Sequence, residues 1–357
     1  MDGKMKALVK YDAAPGCVRI EEVDIPKPGK NEILVKITAA SICGSDYHVY
    51  SWDVWSQQRV KPPVIMGHEF AGEIVEVGEE VRAFQVGDHV SSETHFVCGR
   101  CDQCKTGNGH ICENTVILGI NVNGAFAEYA VIPEASAWLN DRNVDPALLA
   151  IQEPLGNAVH TLMAGEVTGK TVAVVGCGPI GILGVAVARA MSPARLIAVE
   201  PNAYRGSLAR RLGAHVVIDP SKEDTISRIM EETDGKGVEV VAEMSGNVSA
   251  TQQAFKYIRP GGRISLLGLS SKEVTLDLDN DVIGKGITIK GITGRRLFET
   301  WYAAKGLLQS GGLDLAPAVT HRFAMEDFQQ AFELMKEGNS GKIVLYPDVT
   351  MMREEQL

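Results

Sequence analysis

A thiol, an imidazole and a carboxylate fall together between Cys43 and Glu69. The stretch opens with Cys43-Gly44-Ser45-Asp46-Tyr47-His48 and closes with Gly67-His68-Glu69. Such side chains bind Zn²⁺, and a Cys/His set with one position left open is the pattern of a catalytic zinc. Alone the stretch is ambiguous, because a single buried cysteine commonly serves as a small hydrophobe. A second cluster strengthens the metal reading. Cys98, Cys101, Cys104 and Cys112 follow a C-x₂-C-x₂-C-x₇-C spacing. Four thiolates this close can surround one Zn²⁺ and leave no position for substrate, which makes a structural site. An iron–sulfur cluster uses similar spacing and stays open here. Further on, Glu153 stands before Pro154, where a carboxylate can face a cleft. It is a candidate fourth, exchangeable metal ligand, or simply a glutamate on a helix surface.

A third motif binds phosphate rather than metal. The apolar run Thr171-Val172-Ala173-Val174-Val175 leads into Gly176-Cys177-Gly178-Pro179-Ile180-Gly181. A G-x-G-x-x-G turn between strand and helix lets a pyrophosphate approach the positive end of the helix. The next strand, Leu196-Ile197-Ala198-Val199, ends at Glu200, where a carboxylate can bind the adenosine ribose hydroxyls and repel a 2′-phosphate. The expected cofactor is therefore NAD. Arg205 complicates this, since an arginine can accept a 2′-phosphate.

The elements that must carry these residues change character along the chain. Residues 6–10, 18–23, 32–40, 70–77 and 88–92 read as short strands separated by turns, predicting a β-rich front domain built as a partly closed barrel. Residues 49–63 show no period and read as a loop over a cleft or an ordinary surface loop. From Pro146 the pattern becomes helical, and from Thr171 strands alternate with helices, predicting a doubly wound parallel sheet. Ligands bind at the carboxyl ends of such strands. Leu267, Gly268, Leu269, Ile292 and Thr293 are thus candidate cofactor contacts, with plain sheet core as the alternative for Leu267. Amphipathic segments at 298–308 and 325–337 and a strand at 342–346 close the pattern. The polar tail 348–357 is expected to fray. The domain boundaries expected are 1–157 for the metal domain, with 298–357 returning to it, and 158–297 for the nucleotide domain.

Composition excludes several classes. The chain has 357 residues, is 45% hydrophobic and carries a net charge of −10 without a long block of one sign. That disfavours nucleic acid or anionic membrane as a partner. Residues 171–188 hold no charge, but the glycines and Pro179 in their middle favour strand, turn and buried helix over a membrane span. The start runs directly into a strand-like segment, predicting no secretory leader and a cytoplasmic setting. Clustering among the seven cysteines then suggests metal rather than disulfides.

Taken together, Cys43-Gly44-Ser45-Asp46, Gly67-His68-Glu69 with Gly72, the four-cysteine lobe and Gly176 to Gly181 resemble the zinc-dependent medium-chain dehydrogenases over nearly the whole chain. Three longer segments, 51–57, 153–161 and 298–302, resemble the branch that oxidises L-threonine. The resemblance implies an α/β protein with a GroES-like catalytic domain and a Rossmann domain. It implies catalytic zinc at Cys43, His68 and Glu69 with Glu153 near the metal, and structural zinc at the four cysteines. Ser45 and His48 fall where the family places a proton relay, and His95 where it places a substrate-side histidine. Ile180 joins Gly176, Gly178, Gly181, Glu200, Arg205, 267–269 and 292–293 as cofactor contacts. A homotetramer is also implied. Zinc and nucleotide motifs do not choose a substrate, so a polyol or butanediol remains open at this level. A scaffold without turnover would need only the four-cysteine lobe. Zinc-independent quinone reduction would need neither Cys43 nor His68.

Overall fold

The computed structural model describes residues 2–352. The chain divides into two compact units, one of Met1–Pro154, Val319–Glu337 and Lys342–Leu357, the other of Leu155–Ala318 and Gly338–Gly341.

The first unit is rich in β-structure. Its strands begin with β1 (Lys4–Lys10), β2 (Val18–Asp24), β3 (Glu32–Ser41), β4 (Val64–Ile65) and β5 (Glu69–Val77). They continue with β6 (His89–Ser92), β7 (His95–Phe96), β8 (Val116–Ile117), β9 (Tyr129–Pro133) and β10 (Ala137–Leu139). β3 is the organising strand. Its residues are buried almost throughout, and it pairs antiparallel with both β5 and β9. A strand buried on both faces reads as a continuous apolar run rather than an alternation, and Ile33, Leu34, Val35 and Ile37 supply that run.

Residues 49–63 are not loop throughout: two short helices reach to Gln57, and 58–63 are turn and irregular chain. Helix α1 spans Gly44–Ser51 and α2 spans Val54–Gln57. Caps rather than periodicity specify both. Asp46 Oδ2 accepts from the Cys43 amide at 2.9 Å, and Asp53 Oδ1 accepts from Ser56 N at 3.0 Å. Such bonds satisfy amides that a helix start leaves unpaired. Next come α3 (Asp102–Lys105), α4 (Pro146–Ala150) and α5 (Gln152–Leu162).

The second unit is a parallel six-stranded sheet. Its strands are β11 (Thr171–Val175), β12 (Arg195–Val199), β13 (Val216–Ile218), β14 (Val238–Glu243), β15 (Ile258–Leu266) and β16 (Thr288–Gly291), in the order β13-β12-β11-β14-β15-β16. The helices are α6 (Pro179–Ala190), α7 (Ala203–Arg211), α8 (Thr225–Glu231), α9 (Val248–Tyr257) and α10 (Glu299–Gln309). This is the expected doubly wound arrangement. The uncharged run 171–188 is β11, a turn and most of α6, and no helix among the described residues is long and apolar enough to cross a membrane.

The chain then returns to the first unit as β17 (Val319–Ala324), α11 (Phe328–Glu337) and β18 (Lys342–Tyr346). β17 has no counterpart in the sequence reading. All six of its residues are half-buried, so it shows no alternation to detect, and its parallel pairing with β18 defines it. β18 also pairs with the end of β3 at Ala40 and Ser41. Arg322 donates to Asp145 Oδ2 at 2.7 Å, tying β17 to the residue that caps α4. The expected frayed tail is partly ordered: Val349–Met351 form a 3₁₀ turn on which Asp348 Oδ1 accepts from Thr350 N. Residues 353–357 of that tail lie outside the described residues.

Candidate active site

Separate segments of the first unit converge on one buried cluster. Cys43 sits between the end of β3 and the start of α1. His68 precedes β5 and Glu69 begins it. Glu153 lies in the first turn of α5. The potential ligand atoms of Cys43, His68 and Glu69 all lie within 4.8 Å of one another. His68, Glu69 and Glu153 are buried. Gly67 makes the approach possible. Its φ is +89°, and a Cβ there would stand 2.3 Å from the Phe126 ring. Only glycine takes that conformation at that distance.

The cluster fits Zn²⁺ on its own chemistry. Sulfur, imidazole nitrogen and carboxylate oxygen form a mixed donor set of the catalytic kind. Glu69 Oε1 is buried without a hydrogen-bond partner, and a buried carboxylate oxygen without one is costly unless a cation faces it. The neighbours orient these side chains. His68 Nδ1 lies 3.5 Å from Asp46 Oδ1, and Ser45 Oγ lies 3.3 Å from His68 Nε2. Burial opposes a charge on His68, but Asp46 and Cys43 outweigh it and hold the imidazole well above its ordinary pKa. Burial pushes Glu69 up, Lys342 pulls it down, and the nearby charge of Glu153 pushes it up again. Glu153 Oε1 accepts from Thr94 Oγ1 at 2.9 Å. Glu93 Oε1 accepts from the amides of Thr94 and His95, both at 3.0 Å, which sets the start of β7 and hence His95.

His48 lies on α1 one turn beyond Ser45. Its Nδ1 is 2.6 Å from Asp53 Oδ2, and its side chain is half exposed. Sequence reasoning had named neither Asp53 nor the buried Asp46 as a partner. Both were readable from cap spacing, each standing three residues from the amide it pairs with. Lys342, which donates to Glu69 Oε2, gave no local signal at all.

The four cysteines form a second cluster, again with ligand atoms within 4.8 Å. Cys101 precedes α3, and β7 pairs with β8 at the base of the lobe. Amides of Cys98 and Asn114 donate to Cys112 Sγ at 3.4 and 3.3 Å. Backbone donors to Cys98 lower its thiol to about 6, while burial and its thiol neighbours push Cys104 to about 12. Amides aimed at sulfur are the outer support that metal thiolates use. The lobe thus fits a closed Zn²⁺ site.

In the second unit a cavity of about 390 Å³ is lined by Gly176, Gly178, Glu200, Arg205 and Ser245, among others. A Cβ on Gly181 would stand 1.9 Å from the Gly176 carbonyl, so the turn closes only with glycine there. Ile180 lies in the first turn of α6. Glu200 is buried, and its carboxylate accepts from Cys177 N at 2.7 Å and Asn202 N at 2.9 Å. Arg205 Nε donates to the Ser340 carbonyl at 3.4 Å. Leu267 and Gly268 follow β15, with the Leu267 amide on the Glu243 carbonyl at 2.9 Å. Leu269 is 86% exposed, which is not a core position. Ile292 is buried, and its amide bonds Leu266 O, with Thr293 next in the chain.

Residues 29–141 match the alcohol dehydrogenase GroES-like domain, and residues 179–310 match the zinc-binding dehydrogenase domain. An L-threonine 3-dehydrogenase from Caldanaerobacter subterraneus subsp. tengcongensis is 53% identical, covering 97% of this chain and 100% of that one. The chain belongs to the zinc-dependent medium-chain dehydrogenases. Within this dehydrogenase family, an L-threonine 3-dehydrogenase from Bacillus licheniformis is 50% identical, over 97% of this chain and 100% of its own. Among solved dehydrogenases, 2R,3R-butanediol dehydrogenase from Bacillus subtilis superposes with a TM-score of 0.86 at 30% identity, covering 96% of this chain and 100% of that one. The GroES-like and Rossmann folds expected from the motifs are those of the family.

Proposed function

We propose that this chain oxidises L-threonine at C3 to 2-amino-3-oxobutanoate, with NAD⁺ as hydride acceptor. The observation that carries the reading is the 53% identity to an L-threonine 3-dehydrogenase over 97% of this chain and 100% of that one. The buried Cys43/His68/Glu69 cluster supports it. Zn²⁺ at that cluster supplies Lewis-acid polarisation of a bound hydroxyl, and the nicotinamide accepts the hydride. We assign Met1–Pro154 and its returning segments to catalysis, and the unit containing the glycine turn to NAD. Glu200 selects NAD over NADP by occupying the ribose end of the cavity with a carboxylate. Cys98, Cys101, Cys104 and Cys112 hold the structural zinc.

The chain's own residues manage the proton. Ser45 Oγ receives the C3 hydroxyl proton as its own proton passes to His48. His48 is oriented by Asp53 on Nδ1 and exposed enough to release the proton to solvent. His95 stands on the substrate side. The His48→Ala variant is expected to lose about 10²-fold in kcat, the lower range for a positioned acid–base group, with zinc content unchanged. Full turnover across the pH range would sink the relay.

The deciding experiment is the initial rate of NAD⁺ reduction on zinc-loaded protein with L-threonine, D-threonine, 2,3-butanediol and sorbitol, and with NADP⁺ in place of NAD⁺. Preference for L-threonine with NAD⁺ is expected. Preference for a diol or polyol would keep the fold and discard the substrate.

We further propose a cytoplasmic homotetramer. None of the seven cysteines is disulfide-bonded, as in a reducing compartment. Recovery in a secreted fraction would count against that setting. β16 ends the second unit's sheet, its four residues all exposed, and an open sheet edge invites pairing with a second copy. Ile289→Lys on that strand is expected to shift the mass measured by light scattering below that of four chains. A native protein that already runs as a monomer would refute the assembly.

A further inference from the structure

We propose that Lys342 is a positioning residue for the metal site: it occupies one oxygen of Glu69 and so limits that carboxylate to a single oxygen facing the metal. The inference rests on the reading of Cys43, His68 and Glu69 as metal ligands. Lys342 opens β18 and is 1% exposed, and Glu69 is 0% exposed. Its Nζ donates to Glu69 Oε2 and, at 2.9 Å, to the Ile42 carbonyl. Ile42 immediately precedes Cys43, so one ammonium group is bonded beside two of the three ligands. The opposite oxygen, Glu69 Oε1, is buried and has no hydrogen-bond partner. The two oxygens of one carboxylate therefore stand in different environments.

Charge explains why this matters. Asp46, Glu69 and Glu153 are all buried around the cluster, and the Cys43 thiolate adds a fourth negative group when metal is bound. A carboxylate already paired with an ammonium group is a weaker donor to a dication than a free one. With Lys342 removed, Glu69 is a buried unpaired carboxylate, which is strongly unfavourable. The metal is then the cation best placed to compensate it. Both oxygens turn to the metal and fill the position that a catalytic zinc must keep open for substrate. Lys342 thus favours an open site at the expense of tight metal binding.

The test uses Co²⁺ in place of zinc, whose visible absorption is strong in four-coordinate sites and weakens as coordination increases. Native protein loaded with Co²⁺ should bind it at both clusters. Binding at the four cysteines alone would overturn the site reading itself, and with it this inference. In Lys342→Met the absorption of the Cys43 cluster should weaken, and chelator competition should show metal held about 10-fold more tightly, on the scale by which outer partners tune affinity. Lys342→Arg should keep the native spectrum. Lys342→Met combined with Glu69→Gln should lose the added affinity, because the freed carboxylate is gone. An unchanged spectrum in Lys342→Met, weaker metal binding there, or a double variant that holds metal as tightly as Lys342→Met would overturn the proposal. Should Lys342→Met not fold, Glu69→Gln alone decides. A loss of metal affinity under about 10-fold supports a restrained Glu69, and a larger loss overturns it.

Discussion

Cys43→Ala is expected to lower kcat for L-threonine by about 10³-fold or more while the chain keeps one zinc and loses the other. The reason is that Cys43 contributes twice and the substitution removes only one contribution. Its amide donates to Asp46 Oδ2 and starts α1, and alanine retains that amide. Its thiol is one of three potential ligands within 4.8 Å, and alanine removes it. His68 and Glu69 remain, with Glu69 restrained by Lys342, and that is a poor set for holding Zn²⁺. Lewis-acid polarisation is worth several kcal/mol, and about 4 kcal/mol corresponds to roughly 10³ in rate. Metal analysis after gel filtration, kcat and far-ultraviolet circular dichroism together check the prediction. Native-like dichroism with one zinc and little turnover is the expected set. Turnover within tenfold of the native value with both zincs retained would remove Cys43 from the site. The parallel change Cys101→Ser should act on the other zinc, where metal binding and local folding are coupled.

What could be read from the sequence follows the range of the interactions involved. β11, the glycine turn and α6 were legible because a fully buried parallel strand and a buried helix are continuous apolar runs, and the turn between them needs glycine at Gly181. Cys98 to Cys112 were legible because four thiols that the fold gathers within 4.8 Å of one another lie within a short stretch of chain. The helices in 49–63 were missed because their specification is by caps, Asp46 and Asp53, not by an apolar stripe. β17 was missed because no residue on it is either fully buried or fully exposed. Lys342 could not have been found locally. It reads as the ordinary polar start of a strand, and its meaning comes from Glu69, 273 positions away. The site residues that sequence spacing reveals are the candidate ligands themselves. Lys342 comes from a distant strand, and the register of β18 against β3 brings it into place.

The same distinction bears on the cofactor, where Glu200 does more than its motif position suggests. Its two oxygens accept from Cys177 N and Asn202 N at 2.7 and 2.9 Å, so the carboxylate also ties the glycine turn to the start of α7. Glu200→Ser is expected to raise KM for NAD⁺ by about 10- to 100-fold, the value of one charge-assisted hydrogen bond to a ribose hydroxyl. At saturating NAD⁺, kcat should stay within about threefold, since the reacting carbon is remote from the ribose and a loss of uniform binding appears in KM. NADP⁺ should respond in the opposite direction. Removing the carboxylate removes its repulsion of a 2′-phosphate and frees two backbone amides at the cavity wall, and Arg205 lines the same cavity. The ratio of kcat/KM for NADP⁺ to that for NAD⁺ should therefore rise by about 10² or more. A second change separates selection from simple damage. Arg205→Ala in the Glu200→Ser background should abolish the gain with NADP⁺ and leave the loss with NAD⁺ as it was. If both cofactors instead lose equally in Glu200→Ser, the carboxylate serves only to hold the turn, and the choice of NAD lies elsewhere in the cavity.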